Sequence, residues 1–173
     1  FSLWAVTASA SSPTAPGHVL AFGIDELIPS GLDFAETLVR IHADGGIAVV
    51  PHPFQKTRHG VAAHISAEAL ASADAIEAYN SRLFTGRANR RAERFALQNG
   101  LPTTAGSDAH ISEMVGQAVT EVDTDGRDAA AIRRAIADGR TSVVGQRTPW
   151  RVSLRQFAGG AKRRALRTIA DLR

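Results

Sequence analysis

Residues 47–52, Ile-Ala-Val-Val-Pro-His, form an unbroken apolar run of strand length that ends in a histidine. A strand without polar alternation is stable only where both of its faces are covered, the condition found in a parallel sheet flanked by helices. The neighbouring segments fit that setting. HVLAFGI (18–24) reads as a strand, and 33–46 as a helix with Leu38, Val39 and Ile41 on its inner side and a glycine stop. A short helix at Ser66–Ala71 precedes the strand AIEAYN (75–80), and a long helix from Gly86 to Asn99 ends at Gly100. PTTAGSD (102–108) and QAVTEVD (117–123) are the next strands, followed by a helix over 127–139 with Ile132 and Ile136 four apart. Strands separated by helices of this length build βαβ units, so an α/β chain with a parallel sheet or barrel is expected.

The absence of cysteine removes disulfides and thiolate metal sites, so a metal would be held by His, Asp and Glu. No segment approaches the roughly 18 apolar residues of a spanning helix. The opening FSLWAVTASA resembles the end of a signal peptide but lacks a basic region before it, and a first residue other than Met suggests a start partway through something longer. Residues 1–16 form an uncharged Ser-, Ala-, Thr- and Pro-rich stretch, distinct from the domain expected over 17–146. Residues 147–173 carry eight Lys or Arg against Asp171 alone, a net +7 out of the chain's +3, which leaves −4 for the rest. In this tail Trp150, Leu154, Phe157, Ala161 and Ala165 recur at helical spacing, broken by Gly159-Gly160. The pattern suits a packing helix with a solvated basic face, or a contact with nucleic acid or an anionic membrane.

In parallel sheets and barrels the functional groups collect at the carboxyl ends of the strands. His52, Asn80, Asp108 and His110 all fall there. Asp108 and His110 are two apart, so in extended chain they share a face. One carboxylate and two imidazoles make a donor set for Zn, Mn or Fe. Each residue alone also has an ordinary reading, as a hydrogen-bonded strand-end histidine or a turn aspartate. Lys56, Arg58 and His59 in the loop 55–60, together with Arg82, offer donors for a phosphate, or else a solvated basic loop. His18, His42 and His64 lack strand-end placement and read as structural or exposed. Glu77 is three residues from Asn80, so strict alternation turns it away and leaves it outside the site.

The segments GGIAVVPHPF, DAIEAYNSR, GLPTTAGSDAH and VGQAVTEV, in this order, resemble the second half of a polymerase and histidinol phosphatase (PHP) domain, over about residues 17–145. The resemblance implies a distorted β/α barrel whose mouth holds two or three divalent metals that hydrolyse phosphate esters; a cytoplasmic location is expected. His52 matches the family's His-Pro ligand, Asp108 and His110 its final Asp-x-His pair, and Asn80 a position near the metals that is His in some relatives. The family's His-x-His and bridging Glu have no counterpart, and residues 1–16 contain no His, Asp or Glu. A phosphoesterase acting on a small phosphomonoester or nucleotide is therefore expected, truncated and inactive as given, with at most about one metal ion held here. The alternative is a non-catalytic remnant whose basic tail binds nucleic acid or a partner protein.

Overall fold

The computed structural model describes residues 6–12, 15–29, 31–55, 60–82, 86–152 and 154–155. Its strands are β1 (Val6–Ser12), β2 (Ala15–Phe22), β3 (Ile47–Val50), β4 (Ala75–Asn80), β5 (Thr103–Gly106), β6 (Ala118–Val122) and β7 (Thr141–Gly145). Its helices are α1 (Phe34–Ala43), α2 (Ala67–Leu70), α3 (Arg87–Asn99) and α4 (Ala129–Ala137). Among the described residues no helix is long and apolar enough to cross a membrane.

β1 to β5 hydrogen-bond in chain order into one sheet. β3, β4 and β5 run parallel, as helix-linked strands should, but β1–β2 and β2–β3 are antiparallel. The apolar run at β3 does what its composition demands. Ala48 and Val50 join a core with Val19, Ile41, Leu70 and Ile76, while Ile47 and Val49 join Ala75 and Ile136 on the opposite face. Covering both faces of such a strand removes its apolar area from water, at about 25 cal/mol per Å2. β6 and β7 form a separate antiparallel pair against β5, and no ladder among the described residues joins the two sheets into a barrel. The fold is mixed α/β with a short parallel centre.

Local chemistry explains the element limits. The Asp33 side chain accepts the Glu36 N–H at 2.7 Å and starts α1. The buried stripe of α1 is Phe34, Thr37, Leu38 and Ile41, and Val39 is 65% exposed, against the inward placement expected from sequence. Positions i, i+3, i+4 and i+7 fill the inner face, and Val39 falls off it. Two strands had not been read from sequence: β1, within the uncharged opening stretch, and β7, whose TSVVG is short and half polar. Residues 150–152 continue helically after β7, and Trp150 and Leu154 lie 65% and 59% exposed, so neither packs inward. The remainder of the basic tail, from 156 onward, lies outside the described residues.

Candidate active site

Because β3, β4 and β5 run parallel, the chain leaves all three at the same edge of the sheet. His52 follows β3, Asn80 ends β4 with Ser81 and Arg82 just beyond it, and Asp108 and His110 follow β5. The strands stop earlier than expected, at Val50 and Gly106. Beyond them His52 and Asp108 take left-handed backbone conformations, with φ 33° and 46°, the only non-glycine residues with positive φ among those described. Such backbone costs on the order of 1 kcal/mol or more and persists where surrounding contacts enforce it.

Asp108 and His110 do come together, although not by sharing a face of extended chain. The His110 Nδ1 lies 3.5 Å from Asp108 Oδ1 and 2.8 Å from the Asp108 carbonyl oxygen. With Nδ1–H donating to that carbonyl, Nε2 is left as the acceptor nitrogen. Arg82 occupies the same place: its Nη1 lies 3.3 Å from both Asp108 carboxylate oxygens and 3.1 Å from His110 Nε2. The side chains of Arg82 and Asp108 are only 9% and 16% exposed, so this ion pair is shielded from solvent.

Asn80 is buried, and both ends of its side-chain amide are engaged. Nδ2 donates to Glu77 at 3.0 Å, and Oδ1 accepts the Arg82 N–H at 3.1 Å. That ties the placement of Arg82 to the end of β4.

Glu77, set aside by alternation, belongs to this cluster. The β4–β5 register runs Glu77 to Thr104 and then Tyr79 to Ala105, so Ala78 is an extra residue in a β-bulge. A bulge shifts the alternation by one and turns Glu77 and Asn80, three apart, to the same side. The Glu77 carboxylate accepts the His52 backbone N–H at 2.6 Å as well as the Asn80 amide. It lies so close to Gly106 that a Cβ there would overlap Oε1. Burial pushes its carboxyl up to about 7; the bonds from Asn80 and His52 pull the other way, and the charge of Asp108 adds to the rise. His18, expected to be structural or exposed, also contacts the site. Its ring meets that of His52 edge-on, with centroids 5.5 Å apart, because β2 lies beside β3. Nothing in the local sequence signalled either contact, since both depend on strand order and register. His42 pairs instead with Asp74 at 2.7 Å, at the amino end of β4 and away from the carboxyl ends of the strands.

Lys56, Arg58 and His59 lie outside the described residues. Arg82, expected as a phosphate ligand, is engaged by Asp108 and His110. The donors present, carboxylate and imidazole, suit a hard-to-borderline divalent ion. Their arrangement is incomplete: among the described residues no three His, Asp or Glu side chains close into a set that could hold a metal. A cation binding to Asp108 and His110 would have to displace Arg82 from the same atoms.

Comparison with known proteins agrees with this fold. Residues 86–141 match the family model described as PHP-associated. An uncharacterized protein of Methanocaldococcus jannaschii is 31% identical over 109 residues, covering 61% of this chain and 46% of that protein. The chain thus spans less than half the length of this curated relative. A two-domain protein from Bacteroides vulgatus, described as containing a predicted PHP-like metal-dependent phosphoesterase, superposes with a TM-score of 0.64 at 20% identity, covering 83% of this chain and 45% of that one. PsfC from Pseudomonas syringae superposes with a TM-score of 0.61 at 18% identity, covering 82% of this chain and 58% of that one. The similarity to the PHP family is present in sequence over residues 86–141 and in the fold of a PHP-like neighbour.

Proposed function

We propose that this chain is the carboxyl-terminal part of a PHP-like metal-dependent phosphoesterase, a cytoplasmic hydrolase of small phosphomonoesters or nucleotide phosphates. His52, Asp108 and His110 would be its share of the metal ligands, with the remainder supplied from outside these 173 residues. The observation that carries this reading is the meeting of β3, β4 and β5 ends, where Asp108 and His110 stand together and His52 is held by Glu77. A divalent ion of the Zn, Mn or Fe type would supply Lewis acidity and an activated water there. The chain's own residues order the site. Glu77 and Asn80 hold the His52 and Arg82 backbone, and Arg82 would take a phosphate oxygen once a metal holds Asp108. In the same reading Arg58 and His59 would also meet the phosphate, since their loop follows His52 by a few residues.

A second reading rests on the Arg82 contact. A guanidinium seated on both Asp108 oxygens already neutralises that carboxylate, as a remnant that no longer uses metal would require. Its basic tail would then serve nucleic acid or a partner protein. Hydrolysis of a phosphomonoester with added Mn, measured on the full-length gene product, separates the two. Asp108→Ala and His52→Ala should each lower kcat/KM by about 100-fold or more, while His64→Ala leaves it within about threefold. No hydrolysis above background by the native protein would leave the remnant reading standing, and equal loss from all three variants would point to general destabilisation instead of metal ligation.

A further inference from the structure

Between α3, β4, β5 and β7 lies a cavity of about 330 Å3 that the site described above does not use. This is within the size range of pockets that hold small organic ligands. Ala78, Tyr79 and Val143 give it apolar walls. Arg90 and Arg147 add positive charge, reaching Gly86 from two different parts of the chain. Their guanidinium nitrogens come within 3.4 Å and 3.1 Å of the position a Cβ on Gly86 would take. Neither guanidinium has an ion pair among the described residues. Glu93 also lines the cavity, without pairing with either, so the lining carries a net +1.

Two like charges converging on one point repel; an anion between them turns the repulsion into two charge-assisted contacts. The wall is preformed. The Asn89 side chain bonds both the N–H and the carbonyl of Asn80 at 3.1 Å, and Thr148, next to Arg147, bonds Ser81 through backbone at 2.9 Å and hydroxyl at 3.1 Å. Arg90 and Arg147 are therefore carried on segments that are both anchored to the end of β4.

We propose that this cavity binds an organic anion: a compact oxyanion such as a phosphate or phosphonate between Arg90 and Arg147, carried on a flat apolar body that lies against Tyr79. The proposal does not depend on the phosphoesterase reading, because none of its residues is a candidate metal ligand.

The sequence contains a single tyrosine, so a chain labelled at tyrosine gives one set of ring NMR signals, reporting from inside the cavity. Phenylphosphonate, a hydrolysis-resistant probe with the required shape and charge, should shift those signals saturably. Arg90→Ala and Arg147→Ala should each weaken its binding about 10-fold or more, and Val143→Phe, which fills the apolar wall without changing charge, should also weaken it. His110→Ala should leave it unchanged. Ring signals that do not move at millimolar probe would overturn the proposal. So would undiminished binding in both arginine variants, or binding lost only in His110→Ala, which would place the anion on the strand-end site instead.

Discussion

The Glu77 carboxylate accepts the backbone N–H of His52 at 2.6 Å, so a buried acid on β4 holds the residue that follows β3 in its left-handed conformation. Burial keeps the carboxyl of Glu77 at about 7, against an ordinary 4.5. Below pH 4.5 the folded and unfolded chains both hold this proton, and the group costs nothing. Between 4.5 and 7 the unfolded chain ionises first, so stability falls as pH rises; above 7 both are ionised and the loss is constant. The full loss is about 3 kcal/mol at 1.36 kcal/mol per unit. Glu77→Gln cannot ionise, so its stability relative to the native chain should improve by up to that amount between pH 4.5 and 8. Urea unfolding of both proteins with chelator across this range checks it, and a difference independent of pH would contradict the buried-acid assignment.

Gly106 is required by the same carboxylate. A methyl group there would overlap Glu77 Oε1, so Gly106→Ala should destabilise by roughly 1–3 kcal/mol, as overpacking does. Adding Glu77→Ala should recover part of that loss, because the clash is then gone. A double-mutant cycle by chemical unfolding measures the coupling, and strictly additive effects would show that the two residues do not compete for space.

Much of this arrangement could be read from the sequence. The apolar run at Ile47–Val50 announces a strand covered on both faces, and strand-end reasoning puts Asp108 and His110 in the segment after β5, where their side chains lie together. Glu77 and His18 are not reached in this way, for two different reasons. The bulge at Ala78 overrides the two-residue alternation that any reading of AIEAYN must assume. His18 reaches His52 only because β2 pairs antiparallel with β3, a pairing that residues far apart in the chain decide. The same limit hid the antiparallel half of the sheet: short helix-linked strands suggest parallel neighbours, while β1 and β2 join the edge as a hairpin.

A cation binding at Asp108 and His110 would compete with Arg82 for the same atoms. Removing it by Arg82→Ala should tighten binding of Mn or Zn by about 10-fold, since the guanidinium no longer has to leave a shielded ion pair. Calorimetric titration of both proteins compares the affinities. Weaker metal binding in the variant would show instead that Arg82 supports the ligands rather than opposing the ion.

Metal content per chain, measured by elemental analysis after dialysis against Mn or Zn, bears most directly on the claim that His52, Asp108 and His110 form part of a metal site. The 173-residue chain should retain at most about one ion, weakly, and Asp108→Ala should lose it. Two or more tightly held ions, or the same content in Asp108→Ala as in the native chain, would contradict the assignment.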